Sequence, residues 1–430
     1  MAKILLRHAD VITLDTEGNV LRDADVAIDG GRIIALGAPP DGFLPDETVD
    51  AHEHILLPGF VNAHTHSPMT LFRGWAEELL RERWFNERVW MAETSVTADD
   101  VYWGAALAAV EMIRGGTTAF ADQYFYMDRV AQVVVESGLR ASLAWCTFGR
   151  EEGEIGTDLP GIAAFVEEWQ GAGDGRLRTA LGPHSPYVCS PQFLARSAAV
   201  AVRLGAGIHI HAAETQAQVQ NSILRNDLTP VEILDRNGIF DVPALVAHGI
   251  YLSDGDIVIL AAKHASVVQC ATSQMKLGLG LTRVPELAAA GVNVALGTDS
   301  PATNTSLSML QEARHAVLAQ RLSRSNPGAL PGDQALRMAT QNGARALGFP
   351  TCGRIAPGCS ADLVLIDCAS ARLIPRHDLV ANVLFAAQDG DVSDVMVAGR
   401  WLMRRGRLLT LDEERIRAEA ERRGSTLVGL

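Results

Sequence analysis

The chain has 430 residues, 48 % of them apolar and 20 % charged, the balance of a folded globular protein and not of a disordered one. Its formal net charge of −14 argues against nucleic acid or an anionic membrane as partner, since both need a cationic footprint. Six cysteines stand singly with no Cys-x-x-Cys pair, so free thiols in a reducing cytoplasm are expected, not a disulfide framework.

The N-terminal stretch AKILLRHADVITL is interrupted by Arg7, His8 and Asp10, which makes it a poor signal peptide. No apolar run reaches the ~18 residues of a membrane span. KILLRHADVITL, DADVAID and RIIALG follow one another with Gly and Asp between them, a strand-and-turn texture. The same texture returns near the C-terminus in ADLVLID, VSDVMVAG and RWLMRRGRLL.

Between these flanks, short apolar runs alternate with amphipathic helical stretches, the signature of βα units. Eight strands are predicted: LLPGFVNAHTH, TTAFADQY, RASLAW, RTALGPHS, GIHIHAAE, ALVAHGI, SVVQCAT and NVALGTD. Helices over 99–116 and 304–322 fit the intervening slots, the second with Thr303 or Asn304 as its N-cap. Eight parallel strands with helices between them predict an α/β fold, a (β/α)8 TIM barrel.

Polar residues then fall where barrel chemistry belongs, at the C-terminal ends of strands. His64 and His66 end the first, His184 the fourth, His211 the fifth, His248 the sixth and Asp299 the eighth. Residues i and i+2 of a strand share a face, so both imidazoles of His64-x-His66 can reach one ion, and neutral imidazole is a preferred Zn²⁺ ligand. His52-x-His54 has the same spacing. It precedes the first barrel strand and lacks converging partners, and reads as surface or packing. His211 and Glu214 place a ligand beside a carboxylate able to move protons. His209, two residues deeper, reads as a core histidine. Asp299 lies in turn-rich Gly-Thr-Asp-Ser-Pro and gains its meaning from the histidines on other strands.

The order PGFVNAHTH, HAAE, AHG and GTDS resembles the amidohydrolase superfamily over nearly the whole chain. The finer resemblance is to its cytosine-deaminase-like branch, and there to 5′-methylthioadenosine/S-adenosylhomocysteine deaminases. HTHSPMTLFRG at 64–74, GPHSPYVCS at 182–190, HAAET at 211–215, MKLG at 275–278, GTDSPATNTSL at 297–307 and MVAGRWL at 396–402 carry it. The resemblance implies a small β-sandwich domain formed by both chain ends, residues 1–57 and 351–430 with a terminal helix, around a barrel over 58–350. It implies metal ligation by His64, His66, His211 and Asp299. Glu214 would shuttle protons and contact substrate. His248 would polarise the metal-bound water and the attacked centre, with Asp299 helping to orient that water. His184 would contact the substrate, and Trp84 lies in a segment that shapes the pocket.

Many relatives hold two metals bridged by a lysine on the fourth strand. Here that strand reads RTALGPHS, and the chain has only Lys3, Lys263 and Lys276. One divalent metal is therefore expected, Zn²⁺ by its His₃Asp set, although Fe²⁺ also fits such donors. The expected reaction is hydrolytic deamination of an aminated purine nucleoside or related N-heterocycle by a cytoplasmic homo-oligomer. The alternatives are hydrolytic loss of chloride or an amine from an s-triazine-like ring, and a non-catalytic scaffold, which would lack ligands. Two stretches depart from the nucleoside-deaminase pattern. Arg83 stands before Trp84 where those enzymes carry an acid, and Gln269-Cys270-Ala271-Thr272-Ser273-Gln274 replaces His-Asn-Pro-x-Ser-Asn.

Overall fold

The computed structural model describes residues 2–15, 17–75, 77–78, 84–149 and 158–429. Eight parallel strands follow one another in chain order around the central sheet. They are Phe60–Thr65, Thr117–Tyr124, Arg140–Thr147, Leu177–Pro183, Gly207–Ala212, Ala244–His248, Ser266–Gln269 and Asn293–Leu296. A parallel bridge between Thr65 and Asp299 brings the last strand back to the first, and the Asp299 amide donates to the His64 carbonyl at 2.9 Å. The sheet closes as the (β/α)8 pattern requires.

Alternation explains how each strand serves two environments. Ile208 and Ile210 pack into the large apolar core with the surrounding helices. His209 and His211 occupy the alternate positions and meet His64 at ring-centroid distances of 4.9 Å. The helix Ala98–Arg114 starts on a capping box in which Thr97 and Asp100 satisfy each other's backbone amides. The later helix spans Met309–Arg324, with Ser308 as N-cap. The expected caps are engaged elsewhere: Thr303 Oγ1 donates to the Asp299 carboxylate, and Asn304 Nδ2 donates to the Thr298 carbonyl.

Both chain ends build one nine-stranded mixed sheet. Ile4–Ile12, Val20–Asp29, Arg32–Leu36, Glu47–Asp50 and His54–Pro58 come from the first end. Leu363–Asp367, Val392–Val397, Arg400–Arg404 and Arg407–Leu408 come from the other. The run predicted as a single first barrel strand is divided at Pro58–Gly59. His54–Pro58 pairs antiparallel with Leu363–Asp367, whereas Phe60–Thr65 pairs parallel with Thr117–Tyr124. Gly59 makes the junction possible, since a Cβ there would lie 2.2 Å from the Thr118 side chain. Successive residues face opposite ways: Leu56, Leu363 and Leu365 join a core of the end sheet, while Leu57, Val364 and Ile366 join the barrel core. A buried ion pair, Arg140 Nε to Asp362 Oδ2 at 2.6 Å, fastens the third barrel strand to this sheet. All six cysteines are buried and free. Among the described residues no helix is long and apolar enough to cross a membrane.

Candidate metal centre and its pocket

The first barrel strand delivers His64 and His66 to one end of the barrel, and Asp122 fixes the turn beyond them. The Asp122 carboxylate accepts from Ser67 N at 2.8 Å and Ser67 Oγ at 2.5 Å. Burial pushes this carboxyl up to about 6, opposed by the bonds from Ser67.

The imidazoles of His64, His66 and His211 are held through Nδ1, whereas Nδ1 of His248 is buried with no hydrogen-bond partner. His66 Nδ1–H donates to the Gln123 carbonyl at 2.6 Å, and His211 Nδ1–H to the His184 carbonyl at 2.9 Å. His64 Nδ1 lies 2.7 Å from Nε2 of His209. The opposite nitrogen of His64, Nε2, is buried with no hydrogen-bond partner. It lies 3.6 Å from Asp299 Oδ1, and His66 Nε2 lies 3.5 Å from the same oxygen. One donor set contains His64, His66 and Asp299, another His64, His211 and His248, each with its atoms within 4.8 Å of one another.

Charge and burial agree with a site for a cation. Burial lowers His64 to about 4 against the pull of Asp299, and burial holds His211 well below the usual histidine range. Both shifts favour the neutral imidazole, the form that ligation requires. Burial alone would raise the Asp299 carboxyl, yet the imidazoles of His64, His248 and His66 hold it well below the carboxylate range. An orphaned buried nitrogen facing a carboxylate and further imidazoles is a donor set that suits a borderline divalent ion. Three residues at the same place, Ala213, His248 and Asp299, have φ of 50°, 73° and 63°, values uncommon for non-glycine residues.

A cavity opens over these atoms. Met69, Val89, Phe125, Phe148 and Leu277 give it apolar walls, and Glu93, Tyr124, His184, Glu214 and Thr303 give it polar ones. Four rings stack in sequence across it. Phe148 and His184 have centroids 5.0 Å apart, His184 and His211 4.5 Å, and His211 and His248 5.4 Å, with interplanar angles of 25–27°.

The structure thus brings His66, His184, His211, Glu214, His248 and Asp299 to one cavity, with His64 fully buried against them. Trp84 opens a short π-helix, Trp84–Val89; its side chain, and Arg83 altogether, lie outside the described residues. His52 is exposed, and His54 begins an end-sheet strand with its Nδ1 donating to the His52 carbonyl, so this pair takes no part. Lys263 pairs with Asp235 and Lys276 with Glu77. Gln269 ends the seventh strand, and 271–276 forms a short helix from which Ser273 Oγ donates to Thr303 Oγ1 at 2.6 Å. Sequence reasoning missed Glu93, Tyr124 and Phe148. Their residue types carry no metal-ligand spacing, and only Tyr124 lies at a predicted strand end.

A model of the amidohydrolase family matches residues 55–402. A 5-methylthioadenosine/S-adenosylhomocysteine deaminase of Pelotomaculum thermopropionicum is 44 % identical over 431 residues, covering 100 % of this chain and 99 % of the relative. The crystal structure of an adenosine deaminase from Xanthomonas campestris with bound zinc superposes with a TM-score of 0.94 at 32 % identity, covering 100 % of this chain and 99 % of that one. An atrazine chlorohydrolase from Arthrobacter aurescens complexed with zinc superposes with a TM-score of 0.88 at 27 % identity, covering 99 % and 100 % of the two chains.

Proposed function

The chain belongs to the amidohydrolase family, and from that premise we propose that it is a single-metal aminohydrolase that removes ammonia from the purine ring of a nucleoside of the S-adenosylhomocysteine or 5′-methylthioadenosine type. The observation that carries this reading is the buried, unpartnered Nε2 of His64 within reach of Asp299. His64, His66, His211 and Asp299 would hold the ion, with His248 completing the ring of donors. Pairing of Lys263 and Lys276 with carboxylates elsewhere favours one ion over a lysine-bridged pair. Zinc is the metal in two structural relatives, and the His₃Asp set suits it. Bound there, such an ion acts as a Lewis acid that brings the pKa of water from 15.7 to about 7.

The remaining chemistry falls to the side chains. Asp299, anchored at Oδ2 by Thr303 Oγ1 at 3.1 Å, and His248 orient the attacking water. That water adds to the ring carbon bearing the exocyclic amine. Glu214, buried at the fifth strand's end, moves the released proton to the adjacent ring nitrogen, so that negative charge does not build up there. The second proton of that water, on the added hydroxyl, passes to the amine and lets the C–N bond break; ammonia leaves and the ring keeps the oxygen as a carbonyl. Phe148 and His184, stacked on each other, give the ring an aromatic wall. The six buried free thiols fit a reducing cytoplasm, and we extend the proposal to a homo-oligomer in that compartment.

The substrate class rests on the 44 % identical relative. Arg83 and the segment 269–274 leave the particular nucleoside to experiment. Zinc-loaded protein should be screened for ammonia release from S-adenosylhomocysteine, 5′-methylthioadenosine, adenosine, guanine, cytosine, pterins and melamine, with atrazine as a chloride-release control. Turnover of an adenine nucleoside is expected. Chloride release from atrazine without ammonia from any other compound would replace this reading with the triazine one.

A further inference from the structure

His66 and His211 are oriented by main-chain carbonyls, at 2.6 and 2.9 Å. A carbonyl can only accept, so it leaves the imidazole one arrangement, with the proton on Nδ1 and the lone pair on Nε2. His64 has no such anchor. Its Nδ1 meets another imidazole, Nε2 of His209, at 2.7 Å, with the rings inclined at 74°. Both side chains are buried. An imidazole can accept or donate, so this contact tolerates two proton arrangements of opposite consequence for the metal centre.

We propose that His209 is the positioning residue for His64: its unprotonated Nε2 accepts the His64 Nδ1 proton and thereby turns the His64 Nε2 lone pair toward the metal. The inference rests on the single-metal reading above. A neutral imidazole carries one proton, and at 2.7 Å there is room for only one between the two rings. If His209 Nε2 carried it, His64 would have to accept at Nδ1 and keep its own proton on Nε2. That proton would point toward Asp299 Oδ1, 3.6 Å away, and the ring would offer the ion nothing. With the roles reversed, His209 keeps its proton on Nδ1 and His64 Nε2 is bare, which is the atom left without a partner.

The backbone holds His209 where this requires. Gln123 Nε2 donates to the His209 carbonyl at 2.9 Å, and the Gln123 carbonyl takes the His66 Nδ1 proton. One residue of the second strand therefore steadies both His66 and the residue that orients His64. His209 is the one side chain among these three anchors, and so the one that substitution can remove.

The test compares His209→Leu and His209→Gln with the wild-type full chain, using Zn²⁺ as the probe. Zinc affinity is measured by chelator competition, and melting temperature with and without the ion. Removal of the acceptor in His209→Leu should weaken zinc binding roughly 10–100-fold, and His209→Gln, whose Oε1 can accept, should restore part of it. A role in packing alone would lower the melting temperature of metal-free and loaded protein equally and leave affinity unchanged; that result overturns the proposal. Should the leucine variant fail to fold, ¹⁵N-histidine spectra of the zinc-loaded wild type decide. A proton on His209 Nδ1 is expected, and one on Nε2 overturns the proposal. Wild-type protein that binds no divalent ion would overturn the single-metal reading and this inference with it, whereas undiminished binding by the leucine variant overturns the inference alone.

Discussion

The hydroxyl of Tyr124 donates to Glu93 Oε1 over 2.7 Å, and both residues face the cavity above the candidate metal centre. The bond ties the end of the second barrel strand to the segment that follows the first. Burial raises the Glu93 carboxyl, and the Tyr124 bond opposes that rise. A carboxylate aimed in this way is placed to accept from a donor on the substrate. Tyr124→Phe removes the tether, and a hydrogen bond to a charged group contributes about 1.5–3 kcal/mol. The expected effect is a KM raised about tenfold, with kcat changed less. Steady-state kinetics on the preferred nucleoside checks it, and an unchanged KM would place the pair outside substrate binding.

Glu214→Gln should abolish ammonia release while zinc stays bound, because Glu214 moves protons and the other residues hold the ion. Metal content by elemental analysis, measured beside turnover, separates the two functions. Retained wild-type turnover would remove Glu214 from the proton path.

Much of this centre is legible in the chain itself. The apolar runs ending in His64, His66, His211, His248 and Asp299 show where the strands stop and where chemistry begins, because a barrel confines both to one rim. The first strand is less well read. Pro58–Gly59 is a corner between two sheets, and an apolar run shows no corner. The helix start at Ser308 is missed for a related reason: Thr303 and Asn304 are good caps by type, but the Asp299 loop recruits both. His209 and Glu93 are set apart by contacts across the barrel that spacing cannot express, with His64 in one case and Tyr124 in the other.

Chelation should lower the melting temperature. A ligand that binds only the folded state stabilises it by about 2.7 kcal/mol at a hundred times its Kd. Asp299→Asn should lose most of that response to added zinc, since it removes the anionic donor nearest His64 and His66. Thermal denaturation across a zinc titration provides the comparison. A full zinc response in the variant would remove Asp299 from the ligand set.

Glu312 gives the protein a pH-dependent stability away from the pocket. It is fully buried, accepting from Thr272 N at 3.1 Å, Thr272 Oγ1 at 2.6 Å and Asn304 Nδ2 at 3.1 Å. Burial raises its pKa from 4.5 to about 7, against those bonds. Because the folded value exceeds the unfolded one, the contribution of Glu312 to stability is greatest below 4.5 and falls as pH rises to about 7, with no further loss above. The shift corresponds to a loss on the order of 3 kcal/mol. Glu312→Gln should flatten this part of the profile in urea denaturation between pH 4.5 and 7.5. A variant whose midpoint falls as steeply as that of the wild type would contradict the assignment.

The closure of the barrel sets an order of events for the newborn chain. Thr65 and Asp299 meet although 234 residues separate them, and the site draws on both neighbourhoods. No partly synthesised chain ending before the eighth strand can assemble the full set of donors. Joining ends so far apart costs on the order of 5 kcal/mol in chain entropy, and such distant pairings form late. Metal uptake is thereby a marker of maturation: protein that has captured its ion at full affinity has already brought its first and last barrel strands together.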